Sequence, residues 1–283
     1  MTKGDIFHKQ MFKRILEEGE LDNNPRPHYE DGTPAHTYSV NHACVTYDLS
    51  KGESPIITLR PIAVKSSIGE LLWIYQDESN SLDLLRDKYN VTWWDSWDVG
   101  DRTIGCCYGE TIRRHNLMKK LLDGIKNDPD GRRHIINMWQ EDDFNNPHGL
   151  KPCAYQTVWN VRHGSDGVDY LDMCLFQRSS DFATAGCINQ LQYSIFLEFV
   201  ARHLGLTAGK FTWMVANIQL YDRHIDQAKI MLERSEVDCQ PKVWINPDKH
   251  NFYDMTVDDV KIIDYPRDEI KKVNPQLKFD LGV

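Results

Sequence analysis

Apolar residues recur at helical spacing in several stretches of the chain and alternate with polar ones in others. From Ile6 to Leu16, the residues Ile6, Met11, Phe12, Ile15 and Leu16 fall near one face of a helix. Ser66 to Gln76 carries Ile68, Leu71, Leu72 and Tyr75 at the same spacing, with Ser66 or Ser67 suited to its start. Thr111 to Lys126 reads as one longer helix, through Ile112, Leu117, Leu121, Leu122 and Ile125. It stops at the turn Asn127-Asp128-Pro129-Asp130-Gly131. Asn189 to His203 is apolar on most sides, as a centrally buried helix is, and Ile225 to Arg234 reads as another helix.

Strands are expected at Ala43–Tyr47, Pro55–Leu59, His134–Trp139, Tyr155–Arg162, Tyr170–Gln177 and Lys210–Tyr221, with short ones at Lys242–Asn246 and Val260–Tyr265. The run His163-Gly164-Ser165-Asp166-Gly167 suits a hairpin between two of them. Asn23 to Pro34, with three prolines and Gly32, reads as an irregular surface loop. No repeat or low-complexity linker divides the 283 residues, so one domain over 1–283 is expected. The mixed order of helices and adjacent strands predicts an α+β fold.

Composition narrows the function classes. The chain is 41% hydrophobic with no apolar run long enough to span a bilayer, which argues against a membrane protein. Met1 to Glu20 mixes acidic and basic residues and has the pattern of neither a secretory nor a transit signal. A formal charge of −9 argues against general nucleic-acid binding, yet a few arginines can still build a phosphate site on an acidic protein. Seven cysteines without a CxxC pair argue against a disulfide framework or zinc ribbon, and a cytoplasmic location is expected; no metal site is expected.

A few clusters have candidate chemistry. Cys153 follows Pro152 at the start of an expected strand; its plain reading is a small buried residue, and its chemical one a nucleophile held near positive charge. Gln177-Arg178-Ser179-Ser180-Asp181 and the pair Arg132-Arg133 are either solvated turns or anion grips. The tryptophans of Trp93-Trp94-Asp95-Ser96-Trp97 fill core or offer a wall for a ring-shaped ligand. Glu70 lies in an apolar helix; facing inward, it would have a raised pKa and could move protons.

These segments, with Glu70-Leu71-Leu72-Trp73, Gly105-x-x-Tyr108-Gly109, Asn189, Tyr221 and the terminal Pro275–Val283, stand in the order and spacing of the thymidylate synthases, which the chain resembles over essentially its whole length. The resemblance implies a large mixed β-sheet with flanking helices, in a two- or three-layer sandwich whose sheet face forms a dimer interface. It implies reductive methylation of dUMP to dTMP with 5,10-methylenetetrahydrofolate as co-substrate and dihydrofolate as product. Cys153 would attack carbon 6 of the pyrimidine. Glu70 would organise proton transfer near O4, Tyr108 would stand near the carbon 5 proton, and Asn189 would read the N3–O4 edge. Arg26, Arg178, Ser179 and Ser180 would bind the phosphate end, joined by Arg132 and Arg133 lent from the other subunit of a homodimer. Gln219 and Tyr221 would hold the ribose. Trp94, Trp97, Asp181, Ala185 and the tail at Gly282 and Val283 would hold the folate. Its own messenger RNA is the one nucleic-acid partner the resemblance allows.

Some positions depart from the family pattern. Ala154 stands where histidine is common after the nucleophile, Ala63 replaces a histidine, and Ala185 replaces a glycine. Cys187-Ile188 replaces Pro-Phe. Ala216-Asn217-Ile218-Gln219-Leu220-Tyr221 stands where Gly-Asp-x-His-x-Tyr is common. Two rival readings follow: a dUMP hydroxymethylase, in which water captures the methylene intermediate, and a non-catalytic nucleotide- or RNA-binding relative. A cytosine-specific hydroxymethylase would carry Asp at Asn189.

Overall fold

The computed structural model describes residues 1–144 and 150–282. Helix α1 (Lys3–Glu18) opens with a capping box in which the Thr2 hydroxyl accepts from the Asp5 N–H and the Asp5 carboxylate accepts from the Thr2 N–H. Strand β1 (Glu20–Leu21) and the long β2 (Thr37–Asp48) follow, then α2 (Val64–Tyr75), α3 (Leu82–Tyr89), α4 (Gly109–His115), α5 (Leu117–Asn127) and β3 (His134–Asn137). The hairpin partners β4 (Ala154–His163) and β5 (Asp169–Asp181) lead through a π-helical turn, Phe182–Gly186, into α6 (Cys187–Leu204). The chain ends with β6 (Thr207–Tyr221), α7 (Ile225–Glu233), β7 (Lys242–Ile245), β8 (Val260–Ile263) and α8 (Arg267–Val273).

Strands β1 to β6 form one mixed sheet in the order β1-β2-β6-β5-β4-β3, antiparallel except for the parallel β5–β6 pair; β7 and β8 pair separately. The inner sheet face, with Tyr47, Trp159, Leu175 and Trp213, is fully buried. Helices α1 and α6 pack on the sheet, and α6 in turn packs against α2. This position between two layers explains why α6 is apolar nearly all round. The opposite sheet face carries no helix layer among these contacts, and leaves Met214 and Ile135 about 40% exposed there. No helix among the described residues is long and apolar enough to cross a membrane.

Two expectations are corrected. Pro55–Leu59 is not a strand, although it is buried, and its backbone bends at Thr58 and Leu59. Its backbone groups bond to side chains from remote segments: Ile56 O accepts from the Thr2 hydroxyl (2.7 Å), Ile57 O from the Tyr265 hydroxyl (3.0 Å), Leu59 O from Arg234 (2.7 Å). The N–H of Thr58 within it donates to Asp5 (2.6 Å). A buried backbone needs partners, and these replace a sheet ladder. The stretch Thr111–Lys126 is two helices, because Asn116 adopts the left-handed conformation (φ 52°) and ends α4 before α5 begins. Helix α3, capped by Ser81 and ended by left-handed Asn90, lies in a stretch whose periodicity went unread.

Candidate active site

Segments far apart in sequence meet around a cavity with about 370 Å³ of empty space, part of it open to solvent. It is lined by Glu70 and Leu71 of α2, by Trp94, Tyr108, Cys153 and Ala154, and by Asn189, Gln192 and Tyr193 of α6. Pro152 precedes Cys153 at the mouth of β4, and Asn189 lies in the first turn of α6.

Tyr108 is reached by an unusual backbone. Its φ of 49° and ψ of −113° lie outside the regions open to ordinary L residues, a conformation that costs about 1–3 kcal/mol. The turn closes through Glu110 N–H donating to Cys107 O (3.2 Å). It delivers the Tyr108 hydroxyl to Cys153, whose backbone N–H donates to it (2.8 Å). Burial raises the Tyr108 pKa well above the usual phenol value, so the hydroxyl keeps its proton. Gly109 permits this turn because a Cβ there would stand 2.2 Å from Ser79 O and 2.5 Å from Ser79 N, both backbone atoms. Gly109→Ala is therefore expected to destabilise the chain by about 2 kcal/mol and to displace Tyr108, read as a lower denaturant midpoint together with lost turnover.

Burial raises the Cys153 thiol pKa, while the charges of Arg178 and Arg26 pull it down. Arg178 is held to the thiol's own loop: its Nε donates to Pro152 O (3.1 Å) and its Nη2 to Lys151 O (2.8 Å). Glu70 is buried, and both the Trp93 and Trp94 indole N–H groups donate to its Oε2, the second at 2.8 Å. Desolvation dominates and raises its pKa, against the hydrogen bonds from Trp94, Gln192 and Trp93. A buried carboxyl shifted upward in a cavity beside a thiol and a phenol can exchange protons with a bound ligand.

Asp181, at the end of β5, stands outside the cavity lining. Its Oδ2 accepts from the Thr184 hydroxyl, and its Oδ1 lies 3.9 Å from His224 Nδ1, neither of those two atoms having a hydrogen-bond partner among the described residues. Burial raises its pKa, with His224 and Thr184 opposing. Gln219 pairs with Asp181 in register across β5 and β6. Tyr221 donates to Gly282 O (3.4 Å), and a Cβ at Gly282 would meet the Tyr221 ring at 2.8 Å, so the tail needs glycine to lie this close. His224 Nε2 lies 2.7 Å from Asp280 O and fastens the same tail. Val283 lies outside the described residues.

The structure thus brings together Cys153, Glu70, Tyr108, Asn189 and Trp94. Trp97 packs 5.7 Å from Trp94 without lining the cavity. Arg26, Arg132 and Arg133 are exposed and do not line it, and Ser179, half-buried Ala185 and Gln219 also lie outside. Ser180 is buried with no partner for its hydroxyl. Gln192, Tyr193 and His224 were not read from the sequence as site residues, and Trp93 was read only as part of a possible wall for a ring-shaped ligand. The only signal for Trp93 was its place in the tryptophan run, and Gln192 had none that set it apart from Gln190 in the same helix. Among the described residues no group of three or more His, Cys, Asp or Glu is placed to hold a metal ion.

The family model described as thymidylate synthase matches residues 7–276. The chain is 46% identical to a thymidylate synthase of Streptococcus gordonii over 285 residues, 47% identical to one of Streptococcus pneumoniae over 285, and 45% identical to one of Lactococcus lactis over 284. In each case all of both chains is covered. Its structure is similar to thermostable thymidylate synthase A from Bacillus subtilis, with a TM-score of 0.88 and 35% identity over 99% of both chains. With a cysteine, a glutamate and an asparagine gathered in one cavity and likeness running from end to end, this chain belongs to the thymidylate synthase family.

Proposed function

We propose that the cavity binds the pyrimidine of dUMP and that Cys153 adds to its carbon 6, giving dTMP and dihydrofolate from 5,10-methylenetetrahydrofolate. Methyl transfer of this kind is the chemistry of the family. The observation that carries the residue assignment is the meeting of Cys153, Glu70, Tyr108 and Asn189 around one cavity. Carbon 5 of a uracil is a poor nucleophile; thiolate addition at carbon 6 converts the ring to an enolate and activates it. Negative charge then grows on O4, where the Asn189 amide can donate and Glu70 can supply or relay a proton. Tyr108, neutral and accepting from the Cys153 backbone N–H, can use its own O–H to orient a water that takes the proton leaving carbon 5.

Arg178, Arg26, Ser179 and Ser180 bind the phosphate in this reading, and their charge favours the Cys153 thiolate. Arg132 and Arg133, exposed at the start of β3, reach the phosphate in the partner's site of a homodimer that pairs through the uncovered sheet face. Gln219 and Tyr221 hold the ribose. When bound, the reduced folate supplies the one-carbon unit and the hydride. The residues present fit it: the unpartnered Asp181 Oδ1 and His224 Nδ1 can meet the polar edge of a pterin. Trp94, Trp97 and Ala185 would flank it, and the tail at Gly282 would shield it from water. The chain acts as one catalytic domain, without a metal, in the cytoplasm.

Neither rival reading gains support from the family match or the relatives. Incubation with dUMP and the reduced folate is expected to give dTMP by mass spectrometry, with matching dihydrofolate absorbance and release of tritium from carbon 5. Hydroxymethyl-dUMP without dihydrofolate would overturn the synthase reading; tight dUMP binding with no tritium release would overturn catalysis.

A further inference from the structure

Asn189 and Gln192, which line the cavity, belong with Gln177 behind them to a chain of three side-chain amides. The Trp213 indole N–H donates to Gln177 Oε1 (2.9 Å). Gln177 Nε2 donates to Ser179 O (2.9 Å) and to Asn189 Oδ1 (3.0 Å). Asn189 Nδ2 donates to Gln192 Oε1 (3.3 Å). Gln192 Nε2 donates to Ser67 O (3.1 Å), and the same amide hydrogen-bonds Glu70. An indole nitrogen can only donate and a peptide carbonyl can only accept, so both ends of the chain have fixed polarity and the direction of every amide between them follows.

We propose that Gln192 is the positioning residue that holds the Asn189 amide in the orientation that accepts a 4-oxo pyrimidine and rejects a 4-amino one. This rests on the reading of the cavity as a dUMP site. A uracil offers an N3–H donor and an O4 acceptor, whereas a cytosine offers an N3 acceptor and an amino donor. An isolated asparagine serves either by turning its amide over. Here a turned Asn189 would set its NH2 against the Gln177 NH2 and its oxygen against Gln192 Oε1. Gln177 does not follow, because Trp213 and Ser179 O fix it; Gln192 does not follow, because Ser67 O and the Glu70 carboxylate both require its NH2. Gln177 and Gln192 are each only 3% exposed, so water does not readily take over a broken contact. Gln192 follows Asn189 by three residues on α6 and lies on the same face, and it joins the base-reading amide to the glutamate of α2.

The test uses the full chain, with dUMP and dCMP binding by calorimetry and kcat against pH. The titratable groups facing the cavity are Glu70, Tyr75, Tyr108, Cys153 and Tyr193. Gln192→Met keeps much of the volume and removes the hydrogen bonds, and is expected to cut the dUMP-over-dCMP preference by about tenfold. It should also move the limb of the kcat profile reporting Glu70 to higher pH, since a hydrogen bond favouring the carboxylate is lost. Gln192→Glu keeps an acceptor for Asn189 Nδ2 but removes the amide donors; it should hold the preference within about threefold while still moving that limb upward. An unchanged preference in Gln192→Met overturns the proposal, as does an equal loss for both nucleotides with a lowered Tm. If Gln192→Met does not fold, Gln192→Glu decides alone: a lost preference or an unmoved limb overturns it. Failure of the underlying reading looks different, because the unaltered chain would then bind neither nucleotide and form no dTMP.

Discussion

Cys153→Ala is expected to lower dTMP formation by at least about 10⁴-fold while leaving dUMP affinity within about tenfold. The asymmetry follows from what each part of the site does. Carbon 5 stays unreactive unless carbon 6 is attacked, and no other thiol lines the cavity: among the described residues Cys153 is its one cysteine. Binding relies instead on groups the substitution leaves alone, the Asn189 amide in its fixed orientation and the Arg178 guanidinium held to Lys151 and Pro152. The Cys153 backbone N–H, which donates to Tyr108, is also retained. Single-turnover product formation and calorimetric titration with dUMP measure the two effects. Turnover within a hundredfold of the unaltered chain, on the same principle, would assign the attack to another group.

Asn189→Asp is expected to reduce kcat/KM for dUMP by about a hundredfold and to turn the relative preference toward the cytosine nucleotide. The substitution takes away the N–H that donates to O4 and puts an acidic oxygen there. It also sets that oxygen against Gln192 Oε1, where Asn189 Nδ2 now donates. With its one proton on the oxygen toward N3, the new acid donates to cytosine N3, and its other oxygen accepts from the 4-amino group. The measurement is kcat/KM for both nucleotides alongside their dissociation constants. Equal losses for both would show that the residue at 189 supports the cavity without reading the base.

Much of the fold was legible in the chain because regular elements answer to spacing within a few residues. The apolar repeat from Ile6 to Leu16 lies within α1, and the run from Asn189 to His203 lies within α6. Alternation found β4 and β5, and the His163–Gly167 turn between them. Legibility failed where backbone partners come from far away. Pro55–Leu59 has the apolar density of a buried strand, yet the N–H of Thr58 within it bonds to Asp5, 53 residues distant, and the segment's carbonyls bond to Thr2, Tyr265 and Arg234. The helix expected over Thr111–Lys126 failed for a local reason, since Asn116 tolerates a left-handed backbone that the apolar spacing does not reveal.

The candidate site divides in the same way. The order of Glu70, Tyr108, Arg132-Arg133, Cys153, Arg178–Asp181 and Asn189 along the chain was enough to identify the family and nominate the nucleophile, because chemistry restricts which residue types can perform each role. Only the folded arrangement decided that Trp93 and Trp94 donate to Glu70, that Tyr108 stands on a strained turn beside Cys153, and that Gln177 and Gln192 set the direction of Asn189. These are properties of pairs and of burial. A hydrogen bond between α2 and α6, or a carboxyl pKa raised by loss of water, depends on which distant segments pack together, and spacing along a single segment holds no record of that.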